Sequence, residues 1–266
     1  MCYGEGDLVA CRQIETADGI AVASGSSTAT PEGAASIVEA AMRAFGRVDA
    51  VVCNAGIVNT APFEDIDVQQ WRDMLAVHLD GAFYLAQPAF RIMKANGYGR
   101  FVFTSSSAGM FGAEGHAHYA AAKTGLLGLR NVIAIEGAAH GILANNILPH
   151  GTTRMMLQEV GGNAALLETP MMRLFESDLV VPMVVYLASR ACQVSHQDFS
   201  AAAGRYARVF TGLAEGWLSE PGMASADDIA THFDRITAMA PFQVPFSATD
   251  ETVEICRRRG VRFGLR

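Results

Sequence analysis

The 266-residue sequence predicts an α/β fold on a doubly wound parallel sheet. Short apolar runs at Asp49–Cys53, Phe101–Phe103 and Ile142–Leu148 alternate with longer stretches of helical spacing. Continuous apolar strands suit a sheet covered on both faces, and strand–helix–strand alternation implies parallel pairing. A hydrophobic content of 50% gives the chain enough core for one large domain, placed at residues 1–240, with a C-terminal extension at 241–266.

Taken in order, Asp7–Ala17 has Leu8, Cys11 and Ile14 at roughly helical spacing, and Gly19 ends it. Ile20–Ser24 has the composition of a strand. Thr30 as N-cap and Pro31 at the first helical position open a helix that runs to Phe45 and stops at Gly46. Asp49–Cys53 is a buried strand leading into Asn54-Ala55-Gly56. Val68–Lys94 is one long helical stretch with Trp71, Leu75, Leu79, Phe83, Leu85 and Phe90 as its apolar stripe, closed by Asn96-Gly97. Phe101–Phe103 is a strand closed by Thr104 and three serines. Gly109, Gly112 and Gly115 mark a loop, and an Ala-rich helix begins near His118. Ile142–Leu148 is a further strand, Val180–Ala191 a helix, and Phe199–Phe210 a last strand around Gly204. Ser225 caps a helix to about Met239, and the Pro-broken tail from Pro241 is expected to be solvated.

The residues with chemistry collect at strand ends and on one helix. Tyr119 and Lys123 are four apart, so they share a helix face. An ammonium beside a phenol favours the phenolate, drawing its pKa down from about 10. Such a phenol exchanges a proton with an alcohol or carbonyl near neutral pH. Taken alone, the pair is also compatible with a surface helix contact. Ser106 ends the Phe101–Phe103 strand, and Asn54-Ala55-Gly56 ends the strand before it.

Ser106, Tyr119-x-x-x-Lys123 and Asn54-Ala55-Gly56, in this order and spacing, resemble the short-chain dehydrogenase/reductase family. The match continues through Val77-His78-Leu79-Asp80-Gly81-Ala82-Phe83 and Pro149-His150-Gly151-Thr152-Thr153-Arg154-Met155. The Val-His-Leu segment and Phe199–Phe210 are most similar to the (3R)-hydroxyacyl-CoA dehydrogenase branch, the type found in peroxisomal multifunctional enzyme type 2. The resemblance implies a Rossmann-like sheet and interconversion of a secondary alcohol and a ketone with NAD or NADP. It assigns Tyr119 as general acid/base, Lys123 as its partner and Ser106 as donor to the reacting oxygen. His78 stands where most members have an asparagine in a proton relay. A histidine can also pass protons near neutrality; the other reading is a buried histidine satisfied by a backbone carbonyl. Cofactor contacts are implied for Asn54, Ala55, Gly56, Tyr119, Lys123, Pro149 and Thr153. Residues 154–178, with Met155, Met156, Met171 and Met172, match a substrate lid suited to an apolar hydroxyacyl thioester or similar alcohol; the other reading of the methionines is core filling. The helices at Val68–Lys94 and Tyr119–Ala138 match those that pack against a second subunit, implying a homodimer or homotetramer.

There are departures. The family begins with a strand, a glycine-rich turn, a helix and a second strand that this sequence does not carry, so the fold is expected to be N-terminally truncated. The missing turn would place backbone N–H groups against the cofactor pyrophosphate. Without those strands the first residues, to about residue 20, are expected to pack poorly. Ser26 replaces an aspartate near the adenine, and His150 replaces a glycine. These departures sustain a second reading: a non-catalytic, cofactor-deficient member of the fold that acts as an oligomer partner.

Composition narrows the rest. A net charge of −7 argues against a nucleic-acid surface. Cysteines at 2, 11, 53, 192 and 256 form no C-x-x-C pair, which suits free thiols in a reducing cytoplasm. The start lacks an apolar leader, the end is not a Ser-Lys-Leu address, and no apolar stretch approaches the ~20 residues of a membrane span. A cytoplasmic enzyme without nucleic-acid or membrane partners is expected. His116-x-His118 lacks a third ligand at metal spacing, so no metal is expected.

Overall fold

The computed structural model describes residues 5–153, 169–220 and 224–264. They divide into two compact units between Val209 and Phe210, rather than at the expected 240/241 boundary. The reason is local pairing: Leu213–Ala214 and Phe242–Gln243 form their own small antiparallel ladder on either side of residue 240.

In the first unit, helix α1 (Glu5–Thr16) is followed by a stretch without regular structure. The strand expected at Ile20–Ser24 is absent. No described strand pairs with it, and Ile20 and Val22 are 81% and 51% exposed. A strand is defined by its ladder, so a strand-forming composition without a neighbour leaves the segment open. Helix α2 (Pro31–Phe45) forms as its signals indicate: Thr30 Oγ1 accepts from the Gly33 N–H at 3.2 Å, and Gly46 ends it at φ 69°.

Strand β1 (Ala50–Cys53) starts a five-stranded sheet. Helix α3 (Val68–Leu75) passes through a π-helical turn at Ala76–Asp80 into helix α4 (Gly81–Asn96), so the expected single helix carries an insertion. Strand β2 (Gly99–Thr104) leads to a one-turn helix α5 (Ser107–Phe111) where a loop was expected. Helix α6 (Ala117–Gly137), strand β3 (Ile142–His150), helix α7 (Pro170–Arg173) and helix α8 (Val181–Ala188) follow. The expected Phe199–Phe210 strand is instead a hairpin of β4 (Gln197–Ala202) and β5 (Arg205–Val209). Its turn residues Ala203 and Gly204 both have positive φ, 52° and 75°, the backbone sign that a two-residue hairpin turn needs.

Strands β1 to β4 run parallel in that order and β5 closes the edge antiparallel. Alternate residues separate two layers. Phe101, Phe103, Val51 and Ala144 pack with Met93 and Leu126 from α4 and α6. Val102 and Ile147 pack with Leu187 from α8 on the opposite face. This is the doubly wound arrangement, and it leaves the carboxyl ends of β1, β2 and β3 side by side. Asn54, Ser105, Ser106 and Pro149 lie at or just beyond those ends.

The second unit holds the small ladder, two short helices at Ala226–Thr231 and Phe233–Thr237, and an eleven-residue helix at Ala248–Arg258. The described residues of the tail are mostly exposed, as expected of a solvated extension, and carry the Phe242–Gln243 strand and the Ala248–Arg258 helix. Among the described residues no helix is long and apolar enough to cross a membrane.

Candidate active site

The parallel sheet forces three strand ends together, and the chain beyond each supplies one part of the site. Lys123 is buried there, only 4% exposed. Its Nζ donates to the Thr104 carbonyl at 2.6 Å, and its own carbonyl accepts from Ser105 Oγ at 2.9 Å. Its ammonium lies 5.5 Å from the centre of the Tyr119 ring. Burial lowers the Lys123 pKa to about 8, so the side chain is still mostly charged at neutral pH.

Thr104 joins this group to β1, because its hydroxyl donates to Asn54 Oδ1 at 3.0 Å. Thr104 thus binds Lys123 through its carbonyl and Asn54 through its side chain. Sequence reasoning missed this residue; its place as the last residue of β2, opposite the Asn54 strand end, was the available signal. Ser106 caps α5 by accepting from the Ala108 N–H at 3.1 Å, a contact that uses an oxygen lone pair and leaves the hydroxyl hydrogen to donate elsewhere.

His78 projects from the π-helical turn and is 3% exposed. A π insertion re-aims the side chains of a helix by adding one residue to a turn, and such insertions recur at functional sites. Here it sets the imidazole edge-on to Tyr119, ring centres 5.2 Å apart. Nε2 lies 2.9 Å from the Ile57 carbonyl oxygen and 3.1 Å from the Ile57 nitrogen. Burial, then the Lys123 charge, lower its pKa to about 3, so the ring is neutral at physiological pH. The contact matches the reading of a buried histidine held by a backbone carbonyl, and a neutral imidazole still accepts a proton at one ring nitrogen while giving one up at the other, as a relay requires.

Asn54 and Ala55 line a cleft with His78, Thr28, Cys53 and Gly81. Gly56 lies against His78. Burial pushes the Cys53 thiol up to about 12, which keeps it protonated and unsuited to nucleophilic chemistry. Pro149 is the next-to-last residue of strand β3, paired with Ala201. Thr153 lies exposed three residues beyond the end of β3. His150 stacks at a tilt on Phe175, ring centres 5.2 Å apart. Met155 and Met156 of the expected lid lie outside the described residues, while Met172 is buried. Among the described residues no cluster of three or more His, Cys, Asp or Glu side chains is placed to hold a metal.

The residues present fit the nicotinamide-ribose half of a dinucleotide. Small Ala55 lines the cleft beside the β1 end, and the buried Lys123 ammonium, with donors beyond the one given to Thr104, lies by the Tyr119 ring. Among the described residues there is no glycine-rich turn to cradle a pyrophosphate.

Known proteins share this architecture. The model of the family described as short chain dehydrogenase matches residues 7–164. Peroxisomal multifunctional enzyme type 2 of Drosophila melanogaster is 36% identical over 197 residues, which is 74% of this chain and 31% of that protein. Acetoacetyl-CoA reductase of Rhizobium meliloti is 38% identical over 167 residues, 61% of this chain and 69% of the reductase. The solved full-length Drosophila enzyme superposes with a TM-score of 0.79 at 26% identity, covering 95% of this chain and 43% of that one. The chain therefore spans less than half of that multifunctional relative. With more than half of its length matched and the Tyr119/Lys123 helix set against the strand ends, the chain belongs to the short-chain dehydrogenase family.

Proposed function

We propose that this chain is a nicotinamide-dependent oxidoreductase that interconverts a secondary alcohol and a ketone on a hydroxyacyl thioester. The observation that carries the reading is the buried, charged Lys123 held 5.5 Å from the Tyr119 ring at the open strand ends. A purely structural helix contact has no use for a desolvated cation beside a phenol. The thioester is supported by the likeness to a protein named acetoacetyl-CoA reductase.

In this reading Tyr119 takes the hydroxyl proton of the alcohol, or returns it to the ketone oxygen. Lys123 favours the phenolate by its charge, and Ser106 donates its hydroxyl hydrogen to the same oxygen. His78, neutral and bonded to Ile57, holds the loop after β1 in place. Asn54, Ala55, Gly56, Tyr119, Lys123, Pro149 and Thr153 would hold NAD or NADP, which supplies or accepts the hydride when bound. The exposed Val132 and Ile135 of α6 and Phe83 of α4 support pairing with a second copy.

One observation favours the second reading, a cofactor-deficient oligomer partner. The outer edge of β1 is unpaired among the described residues, with Val52 38% exposed. Titration of the purified chain with NADH and NADPH, followed by turnover of 3-hydroxyacyl-CoA esters, separates the two. Micromolar binding, about −8 kcal/mol, with thioester oxidation supports the enzyme. A folded chain that binds neither cofactor up to millimolar leaves the partner reading.

A further inference from the structure

The segment from Thr104 to Gly109 touches the Lys123–Thr124 turn of α6 at more points than a strand-to-helix connection requires. Two of these contacts, through Thr104 and Ser105, are described above. The others lie on α5. A Cβ at Gly109 would stand 3.0 Å from Lys123 Cβ and 3.1 Å from the Thr124 nitrogen, so α5 and α6 meet backbone to backbone there. The Thr124 hydroxyl then donates to the Gly109 carbonyl at 2.5 Å. Gly109 in turn donates its N–H to the Ser106 carbonyl at 3.1 Å, and Ser106 Oγ caps the same turn.

We propose that the Gly109–Thr124 contact is a positioning device that fixes Ser106 and Lys123 in one frame. Neither Gly109 nor Thr124 touches the reacting atoms. Ser106 sits on a five-residue helix too short to hold its own orientation, since a single turn is far below the length at which helices are stable alone. Lys123 sits on a long, rigid helix. Glycine at 109 lets the short turn rest on the long one without pushing α6 aside, and Thr124 closes the joint from the solvent side, where it is exposed. The proposal rests on the oxidoreductase reading for its kinetic consequence.

The test uses Thr124→Val, which keeps the volume and removes the hydroxyl, Thr124→Ser, which restores it, and Gly109→Ala, which fills the joint. Steady-state oxidation of a 3-hydroxyacyl-CoA should show kcat lowered roughly tenfold in T124V and about 10²-fold in G109A. The KM for the thioester and the Kd for the cofactor should stay at wild-type values, and T124S should recover kcat. T124V and T124S sit at an exposed position and decide the matter if G109A fails to fold. Wild-type kcat in T124V, or a loss that T124S does not reverse, overturns the proposal. If the wild-type chain oxidises no thioester, the functional reading fails separately. Crystals of wild type and T124V then decide: a shift of about 1 Å in Ser106 Oγ relative to Lys123 Nζ upholds the device, and unchanged positions overturn it.

Discussion

Gly56 lies so close to His78 that a Cβ there would stand 2.6 Å from Cε1 and 3.4 Å from Nδ1 of the ring. The imidazole is buried and bonded to Ile57, so it cannot move aside without giving up that contact. Gly56→Ala should therefore push the ring off Ile57 and cost about 1–3 kcal/mol, the usual penalty for overpacking. Urea unfolding of G56A, H78A and the double variant measures this. The double should be less destabilised than the sum of the singles by on the order of 1 kcal/mol. Strict additivity would show that the glycine is there for some reason other than the histidine.

Lys123 gives a pH dependence with a definite sign. Burial holds its folded-state pKa at about 8, below the ordinary lysine value of 10.5. Between those values the unfolded chain binds more protons than the folded one, so stability rises with pH through that window. Below about pH 8 both states are charged and the desolvation penalty is fully present. The whole rise is worth about 3 kcal/mol. Urea midpoints from pH 7 to 10 should climb in the wild type, and the Lys123→Met variant should lack that climb. Parallel curves for the two proteins would place the titration elsewhere.

Tyr119→Phe removes the phenolic proton and keeps the ring against His78. Turnover of a 3-hydroxyacyl-CoA should fall by about 10²- to 10⁴-fold, the range for loss of a general acid/base, with cofactor affinity retained. Ser106→Ala should lower it by about 10²- to 10³-fold, as for loss of a hydrogen-bond donor to the reacting oxygen. A Y119F protein with wild-type rate would remove Tyr119 from the chemistry.

What the sequence made legible follows from which features are local. Thr30, Pro31 and Gly46 bound α2 because a cap, a first-turn proline and a left-handed glycine act within a few residues. The Tyr119/Lys123 face followed from helical spacing alone. Three features depended on something beyond the local pattern. Ile20–Ser24 has strand composition, yet pairing needs a neighbour, and composition is silent on that. The π turn at Ala76–Asp80 shifts hydrogen bonds within a sequence whose apolar stripe still looks helical, so His78 was placed on the helix, with a backbone-carbonyl partner as one of its two readings, but neither the π turn nor Ile57 as that partner could be read from spacing. The hairpin at Ala203-Gly204 escaped because alanine is a poor signal for positive φ, and Phe199–Phe210 otherwise reads as one run.

The buried Arg130–Asp198 pair was also invisible, since α6 and β4 lie far apart in sequence. Arg130 donates to Asp198 Oδ2 at 2.6 Å, with the two side chains 3% and 8% exposed, and Asn146 Nδ2 donates to Asp198 Oδ1 at 2.7 Å. Nε and Nη1 of Arg130 make no hydrogen bond. The pair is thus incompletely satisfied, and desolvation offsets much of its attraction. Removing one member leaves a buried charge alone, so Arg130→Met or Asp198→Leu should each cost about 3–5 kcal/mol. Removing both leaves no buried charge, only the Asn146 amide without this acceptor, a residual cost of about 1–3 kcal/mol. Chemical unfolding should therefore find the double variant more stable than either single one. A double variant as unstable as the two losses added together would mean that the pair makes a large net contribution to the fold.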